Sequence, residues 1–542
     1  MLVADDGFPV SSGGWIRVLA RADLSNPERD ELRAVLPGAV PGGQSVTGVG
    51  GVLLAAHLLS ELDFSAVPVE SAVRPVLAAF AARVTGLDGR KLGPAGPGVG
   101  ERWLDRLETV LAEGRFDPKE VLAYLEKESA GLGLYDEVRP FMQDPRLASE
   151  AGEVVPPGRL VMDRPSGANA MWSGRVPEST PVASGEALGW VLAWRAFGPS
   201  GTGAVRSHGG RSSKSCKAGP ARSLMRWFPR GRNLFESLVL SVPPPDAWPS
   251  GPGEDLAPWE TEQLPDPLAP AAPCGVVSLL TGRSAHAVLL APGAGGEQTV
   301  GCRIAWGTSV DLPAAVDPYV IDRSSGGPAR AKHWRAVWRD LDALLLKERT
   351  GEKVTTRRPR VFDTVKDLPV DVRRALRVRA LGWDQDKQDK NSAWVLAETP
   401  PVLELVEECS PDGASAVSAA RLSAEKAASL LGKSLARVWH LLNPGRRSDD
   451  REGFVGPGIA LFMERAETEF WRVVADPAGQ APQFRRLALG VFDEVTVGVR
   501  SATVRGMAAV QLARGPLAGV PEQRAHTKGK SRKTSEKRVV AS

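Results

Sequence analysis

Cysteine is scarce in this chain: four occur in 542 residues, at Cys216, Cys274, Cys302 and Cys409, and no two form a C-x-x-C pair. That argues against a disulfide framework and against a thiolate zinc site, and it suits a reducing, cytoplasmic setting. Histidine is equally thin, six scattered residues with no H-E-x-x-H spacing, so a histidine-based metal centre is not expected. No run of eighteen apolar residues occurs, which predicts no membrane-spanning helix and no membrane partner. Met1 to Asp6 lacks a basic segment followed by an apolar one, and no secretory signal is expected. Catalytic signatures are missing too. Gly432-Lys433-Ser434 has no upstream glycine for a phosphate loop, no G-x-S-x-G elbow is present, and Asp317 and Asp340 belong to no recognisable metal-ligand motif. The expectation is a protein that is not an enzyme and holds no cofactor or metal. A nuclease with an unfamiliar active site is the alternative, and it would need clustered acids.

Acid is absent from one long stretch. Between Ala187 and Phe235 there is no Asp or Glu, while Arg195, Arg206, Arg211, Lys214, Lys217, Arg222, Arg226, Arg230 and Arg232 fall inside it. The formal net charge of +4 hides this asymmetry. A second basic run, His526 to Arg538, closes the chain and reads as a solvated, disordered tail over 518–542. Cationic runs of this kind neutralise phosphates. A mobile surface loop is the plainer reading of the internal one.

The remaining texture is that of a folded chain, with 42% apolar residues. Its length suits two to four domains. Trp15 to Leu19 reads as a short strand, and Val52 to Leu59 and Val76 to Phe80 as buried helices. Trp103, Leu104, Leu107 and Leu111 share one helical face. Asp117-Pro118 opens another helix, with Asp117 as N-cap. Gly198 to Lys217 reads as an exposed loop. Val276-Val277 with Leu279-Leu280, Ala287 to Leu290 and Ile304 to Trp306 read as strands. After Pro400-Pro401 the sequence turns to Ala, Leu, Glu, Arg and Val at helical spacing, with Ala419–Leu442 and Ile459–Val474 as helices and one or two more within Phe484–Leu512. The fold class is therefore α+β: a mixed α/β domain over 1–400, then an antiparallel four-helix bundle over 401–517.

Three segments carry a family resemblance. They are Val138-Arg139-Pro140-Phe141-Met142-Gln143; Phe228 to Leu238 followed by Ala257-Pro258-Trp259-Glu260 and Leu279 to Arg283; and Val378-Arg379-Ala380-Leu381-Gly382 with the polar stretch Asp384–Lys390 and Trp394. In this order, ahead of a helical bundle, they resemble the CasA family, the large subunit of type I-E CRISPR Cascade complexes. The resemblance runs from about Trp15 to Leu517 and is clearest from Pro140 to Trp394. It implies a subunit that reads a short motif flanking the target in double-stranded DNA while guide RNA pairing reads the target itself. It also implies contacts with the other Cascade subunits and with a separate helicase-nuclease.

The same resemblance assigns candidate residues. The family's RNA- and motif-contacting loop corresponds to Ser166 to Trp172, with Asn169, Met171 and Trp172 as contacts. Its glycine-rich loop corresponds to Gly198, Gly201 and Gly203, followed by Arg206, Arg211, Lys214 and Lys217 as phosphate-tracking cations. Its wedge, a hairpin tip bearing glutamine, corresponds best to Gln388 with Lys387 before it, and Gln385 is the alternative. The sequence departs from the family at one place. A minor-groove lysine is expected shortly after Trp259, but Glu260-Thr261-Glu262-Gln263 stands there. Arg283 or Gln263 would substitute, or the contact is missing.

Overall fold

The computed structural model describes residues 7–93, 97–164, 176–350, 355–386, 388, 390–446, 448–477 and 479–519. The loop with Asn169, Met171 and Trp172, the residue Lys387 and the basic tail lie outside the described residues. Residues up to Val417 and residues from Ser418 onward form two compact units. The division falls inside the helix Pro411–Leu442 rather than at Pro400-Pro401.

The first unit is built around the helix Val67–Thr85, every residue of which is buried. Its sequence is mostly apolar, as a helix enclosed by other elements requires, and carries Glu70, Arg74 and Arg83 as buried charges. Gly86 ends it in the left-handed conformation at φ 78°, the usual glycine stop. Pro75 sits inside it and cannot donate to the carbonyl of Ser71. That carbonyl instead accepts from Arg226 Nη1 at 3.0 Å, so the buried acceptor stays satisfied.

The helix packs against other helices, Ser184–Phe197 and Val276–Thr281 foremost, and against the strand Arg377–Gln385, and small antiparallel sheets complete the unit. One orders Gln44–Thr47, Ile16–Ala20 and Leu59–Leu62; another orders Asn391–Glu398, Arg377–Gln385 and Met225–Arg230. A third orders Val182–Ala183, Gln298–Trp306 and His286–Pro292. The expected strand at Ile16, the helix Val99–Glu113 with Trp103, Leu107 and Leu111 buried, and the Asp117 cap on Lys119 N at 2.9 Å are all present.

Two expectations are overturned. Val276–Thr281 is a helix, not a strand. The Asp255 carboxylate accepts from Val277 N at 3.0 Å and Ser278 N at 2.7 Å, capping a helix start from 22 and 23 residues upstream. Gly201–His208 and Arg211–Cys216 form a β-hairpin, not a loop. Gly209 and Gly210 take φ of 54° and 79°, the positive pair that a tight hairpin turn needs.

Buried charge ties the sheets to the central helix. Arg74 pairs with Glu61 at 2.5 Å and Glu70 at 2.7 Å. Arg379 reaches Glu70 at 2.7 Å, and Arg230 bridges Glu61 at 3.1 Å and Glu398 at 2.7 Å. One hydrogen-bonded cluster thus joins the helix to four strands. A second lies at the helix's other end, where Arg83 pairs with Asp88 at 2.5 Å and Glu260 at 2.7 Å.

The second unit is helical. The four expected helices are Pro411–Leu442, Glu452–Ala475, Phe484–Val495 and Val504–Ala518, and a short segment, Val497–Ala502, is inserted before the last. Phe462, Ala466, Phe470 and Val473 form the buried stripe of the second helix. A Cβ on Gly458 would lie 2.6 Å from Leu435 Cδ1, so glycine lets the first two helices approach closely. Neighbours are also pinned at the surface by Arg465–Glu494 at 2.8 Å and Arg514–Asp493 at 2.7 Å.

Breaking the first cluster leaves carboxylates buried without their cation. Arg74→Met is expected to destabilise the first unit by about 3–5 kcal/mol, read from urea unfolding; a loss under ~1 kcal/mol would contradict the buried placement. Acid should act in the same direction. Burial alone would raise the Glu61 carboxyl, but Arg74 and the neighbouring guanidiniums outweigh it and hold it below its ordinary value. Its contribution is fully present above the ordinary glutamate range of ~4.3 and is lost as pH falls through the lower folded value.

Candidate nucleic-acid interface

The strands Arg377–Gln385 and Asn391–Glu398 pair in register through Trp383 opposite Trp394. Between them the chain turns tightly. Asp386 Oδ1 accepts from Gln388 N at 2.9 Å and Lys390 N at 3.1 Å, and Asp386 N donates to Lys390 O at 3.1 Å. A short acid closing its own turn in this way is a common local device. It leaves the Gln388 side chain exposed at the tip.

Gln385 is different. It is 4% exposed, its amide donates to Asn391 Oδ1 at 2.7 Å, and its oxygen accepts from Ser223 N at 3.4 Å. It braces the base of the tip, which corrects its place as a DNA contact. One residue earlier, Asp384 receives Lys332 Nζ at 3.1 Å and His333 Nδ1 at 2.8 Å. Burial would raise that carboxyl, but the hydrogen bonds from His333 and Lys332 hold it below its usual value.

Arg222 connects the tip to the glycine segment. It donates to Asp386 O at 2.8 Å, to Gln388 O, to Asn391 Oδ1 at 3.4 Å and to Phe197 O at 2.6 Å. Gly198, next to Phe197, ends the helix Ser184–Phe197 by donating to Trp194 O at 3.0 Å, and its carbonyl accepts from Gly219 N at 2.8 Å. The glutamine tip and the base of the Gly201–Cys216 hairpin are therefore held side by side through one guanidinium. No local sequence pattern announced Arg222, because the carbonyl groups it serves become neighbours only on folding.

The glycines play separate parts. Gly198 is buried, and a Cβ there would lie 2.4 Å from the His286 ring, so it is a packing glycine and not part of an exposed loop. Gly203 is exposed but lies against Cys216, whose Sγ is 2.8 Å from where a Cβ would sit. Gly201 is exposed at φ 143° with open space around it.

The acid-free stretch finds its acids elsewhere in the chain. Arg206 is fully buried, with Asp144 at 2.8 Å and Glu150 at 2.6 Å, and its guanidinium lies 5.1 Å from the Trp306 ring centroid. That overturns a phosphate-tracking role for Arg206. Lys217 reaches Asp311 at 2.9 Å, Arg226 reaches Asp317 at 2.6 Å, and Arg232 pairs with Glu236 and Asp371. Arg211 and Lys214 are exposed on the hairpin without a described ion pair.

The segments behind the resemblance mostly hold the scaffold. Gln143 donates to Leu134 O at 2.6 Å and accepts from Leu290 N at 2.8 Å. Trp259 stacks on Phe80 at 4.4 Å and on Phe141 at 5.4 Å. Glu260, standing near the expected lysine, is the partner of Arg83 and accepts from Tyr124 Oη at 2.7 Å. Arg283 donates to Pro313 O at 3.2 Å, whereas Gln263 is exposed. No group of three histidine, cysteine or acidic side chains that could hold a metal occurs among the described residues. No described helix is long and apolar enough to cross a membrane.

The family profile of CRISPR-associated protein Cse1 matches residues 40–489. The chain belongs to the Cse1 family. Solved structures of this family share its fold. A chain of a CRISPR RNA-guided surveillance complex is 31% identical, with a TM-score of 0.79 over 94% of this chain and 99% of that one. Thermus thermophilus CasA (Cse1) is 20% identical with a TM-score of 0.67, covering 95% of this chain and 100% of that one. Thermobifida fusca Cse1 is 19% identical with a TM-score of 0.72, covering 95% and 98%. A search among curated proteins gives no match. The fold class, α+β with a C-terminal helical region, is that of the family.

Arg222→Met removes the donor shared by the tip and the Gly198 segment. Amide hydrogen exchange over 386–391 is expected to quicken about tenfold, with the Trp383–Trp394 strand pair still protected. Unchanged exchange at the tip would show that Asp386 alone holds the turn. Each stranded buried carbonyl costs about 1–3 kcal/mol, so a drop in overall stability should accompany the change.

Proposed function

We propose that this chain is the large subunit of an RNA-guided antiviral surveillance complex and recognises the motif flanking a target in double-stranded DNA. Gln388 probes the duplex beside that motif and helps separate the strands, and Lys387 before it contacts the backbone. Guide RNA and the other Cascade subunits are its partners, and a separate helicase-nuclease is recruited to cut. The subunit performs no bond chemistry itself.

One observation carries this reading: an exposed amide at the tip of a braced hairpin, tied through Arg222 to the base of a cationic, glycine-bearing hairpin. An amide replaces base hydrogen bonds while a pair opens, a step that costs a few kcal/mol. A tip that wandered would lose that gain to entropy, which the Asp386 turn and Arg222 limit. Arg211 and Lys214 supply mobile positive charge for phosphates beside it. Gly201 and Gly203 let backbone amides come close to a base edge or phosphate. The loop with Asn169, Met171 and Trp172 is proposed as the guide-RNA and motif contact. Gly198 and Gln385 serve as supports, and Lys217 joins the phosphate track only if it leaves Asp311. The exposed Gln263 is the side chain proposed to stand in for the expected minor-groove lysine.

In the assembled complex, Gln388→Ala is expected to weaken binding of a target duplex about tenfold, equivalent to ~1.4 kcal/mol, with unchanged melting temperature. A target with the flanking step already unpaired should restore most of the loss. Replacing Arg211 and Lys214 together should lower the slope of log affinity against log salt by about one per cation. Equal affinity of wild type and Gln388→Ala for both targets would refute the wedge. Metal-dependent cleavage abolished by a single aspartate substitution would instead favour a nuclease.

A further inference from the structure

Arg74, Arg83, Arg206 and Arg358 each pair with two carboxylates, Arg226 pairs with Asp317, and Arg222 is held by carbonyl oxygens of the hairpin tip and of Phe197. Two partly buried arginines meet no carboxylate. Arg195 donates only to the carbonyls of Met142 at 3.4 Å and Thr281 at 3.0 Å. Arg283 donates only to the carbonyls of Ala315 at 3.4 Å and Pro313 at 3.2 Å. In both, Nε is buried with no hydrogen-bond partner.

Both side chains line one cavity, together with Arg226, Asp317, Tyr319 and Leu279. Its accessible volume is about 50 Å³, room for a few waters or one small anion and too little for a larger ligand. Three guanidiniums face it against the single carboxylate of Asp317, which Arg226 already holds at 2.6 and 2.7 Å. The pair left over is a net double positive charge in a largely apolar recess.

We propose that this cavity is a binding site for a phosphate-class oxyanion. Uncompensated buried charge is costly, and guanidinium forks match phosphate oxygens with parallel hydrogen bonds. A phosphate monoester carries about −1.5 to −2 at neutral pH, which answers two guanidiniums where a carboxylate would answer one. The bare site shows the strain of its charge. Burial pushes Arg195 down to about 10, although Asp144 pulls it up, and burial lowers Arg283 against the pull of Asp317. The phosphate is either free in solution or carried on the end of a nucleic-acid strand. This inference does not rest on the hairpin tip, and Gln388→Ala should leave it untouched.

The test uses the full-length chain. Its melting temperature is followed against inorganic phosphate, and against a short oligonucleotide with and without a 5′-phosphate, with chloride at matched ionic strength as reference. Saturable stabilisation by inorganic phosphate, weakened about tenfold in Arg195→Gln and Arg283→Gln, supports a free anion. A response only to the phosphorylated oligonucleotide, weakened in the same variants, supports a strand end. No saturable response of the wild type to either probe overturns the proposal, and so does a response that both Gln variants retain. If the Gln variants do not fold, Arg195→Lys and Arg283→Lys keep the charge but lose the fork, and unchanged affinity in both overturns it as well.

Discussion

A helix enclosed on every side can carry charge only if its surroundings answer that charge. Val67–Thr85 bears Glu70, Arg74 and Arg83 in the interior of the first unit. Each demands partners that no neighbour in sequence supplies in full. Glu61, Arg230, Arg379 and Glu398 meet at one end, and Asp88 and Glu260 at the other. These pairs fix how four strands sit around the helix. Their net worth over an apolar core is small, but their geometry is demanding, since a displaced strand would leave a bare charge inside.

That frame positions the candidate interface. The strand Arg377–Gln385 is anchored to the helix by Arg379, and the same strand runs out into the tip with Gln388. The strand Met225–Arg230 is anchored by Arg226 and Arg230, and the chain just before it carries Arg222 to the tip. A rigid interior and an exposed amide are thus a few residues apart on the same strands. Side chains placed on strands held this way are presented with less freedom than side chains on a long loop.

Glu260 shows how a departure from a family pattern becomes a structural fact. Where the resemblance led to the expectation of a lysine, the chain has an acid bound to Arg83 and Tyr124. A lysine at that position would face Arg83 in the interior. The acid therefore belongs to the core of the first unit and is not placed to make the expected minor-groove contact.

Much was legible from residue order alone. The helices of the second unit, the buried run at Val76, the Asp117 cap and the hairpin around Gln388 follow from local periodicity and turn chemistry, which act over a few residues. The family was legible too, because its motif segments are packing residues such as Phe141, Trp259 and Gly382, whose identity the core constrains. Which cation meets which acid was not. Arg206 lies in an acid-free stretch and looked like a phosphate contact, yet Asp144 and Glu150 reach it from sixty residues away. Val276–Thr281 looked like a strand until Asp255 capped it as a helix. Gln385 and Gln388 differ by three positions, and only the pairing of Asn391 and Ser223 with the first decides that the second faces solvent. Charge pairing and capping at long range act through space after the chain has folded, so tertiary structure alone decided them.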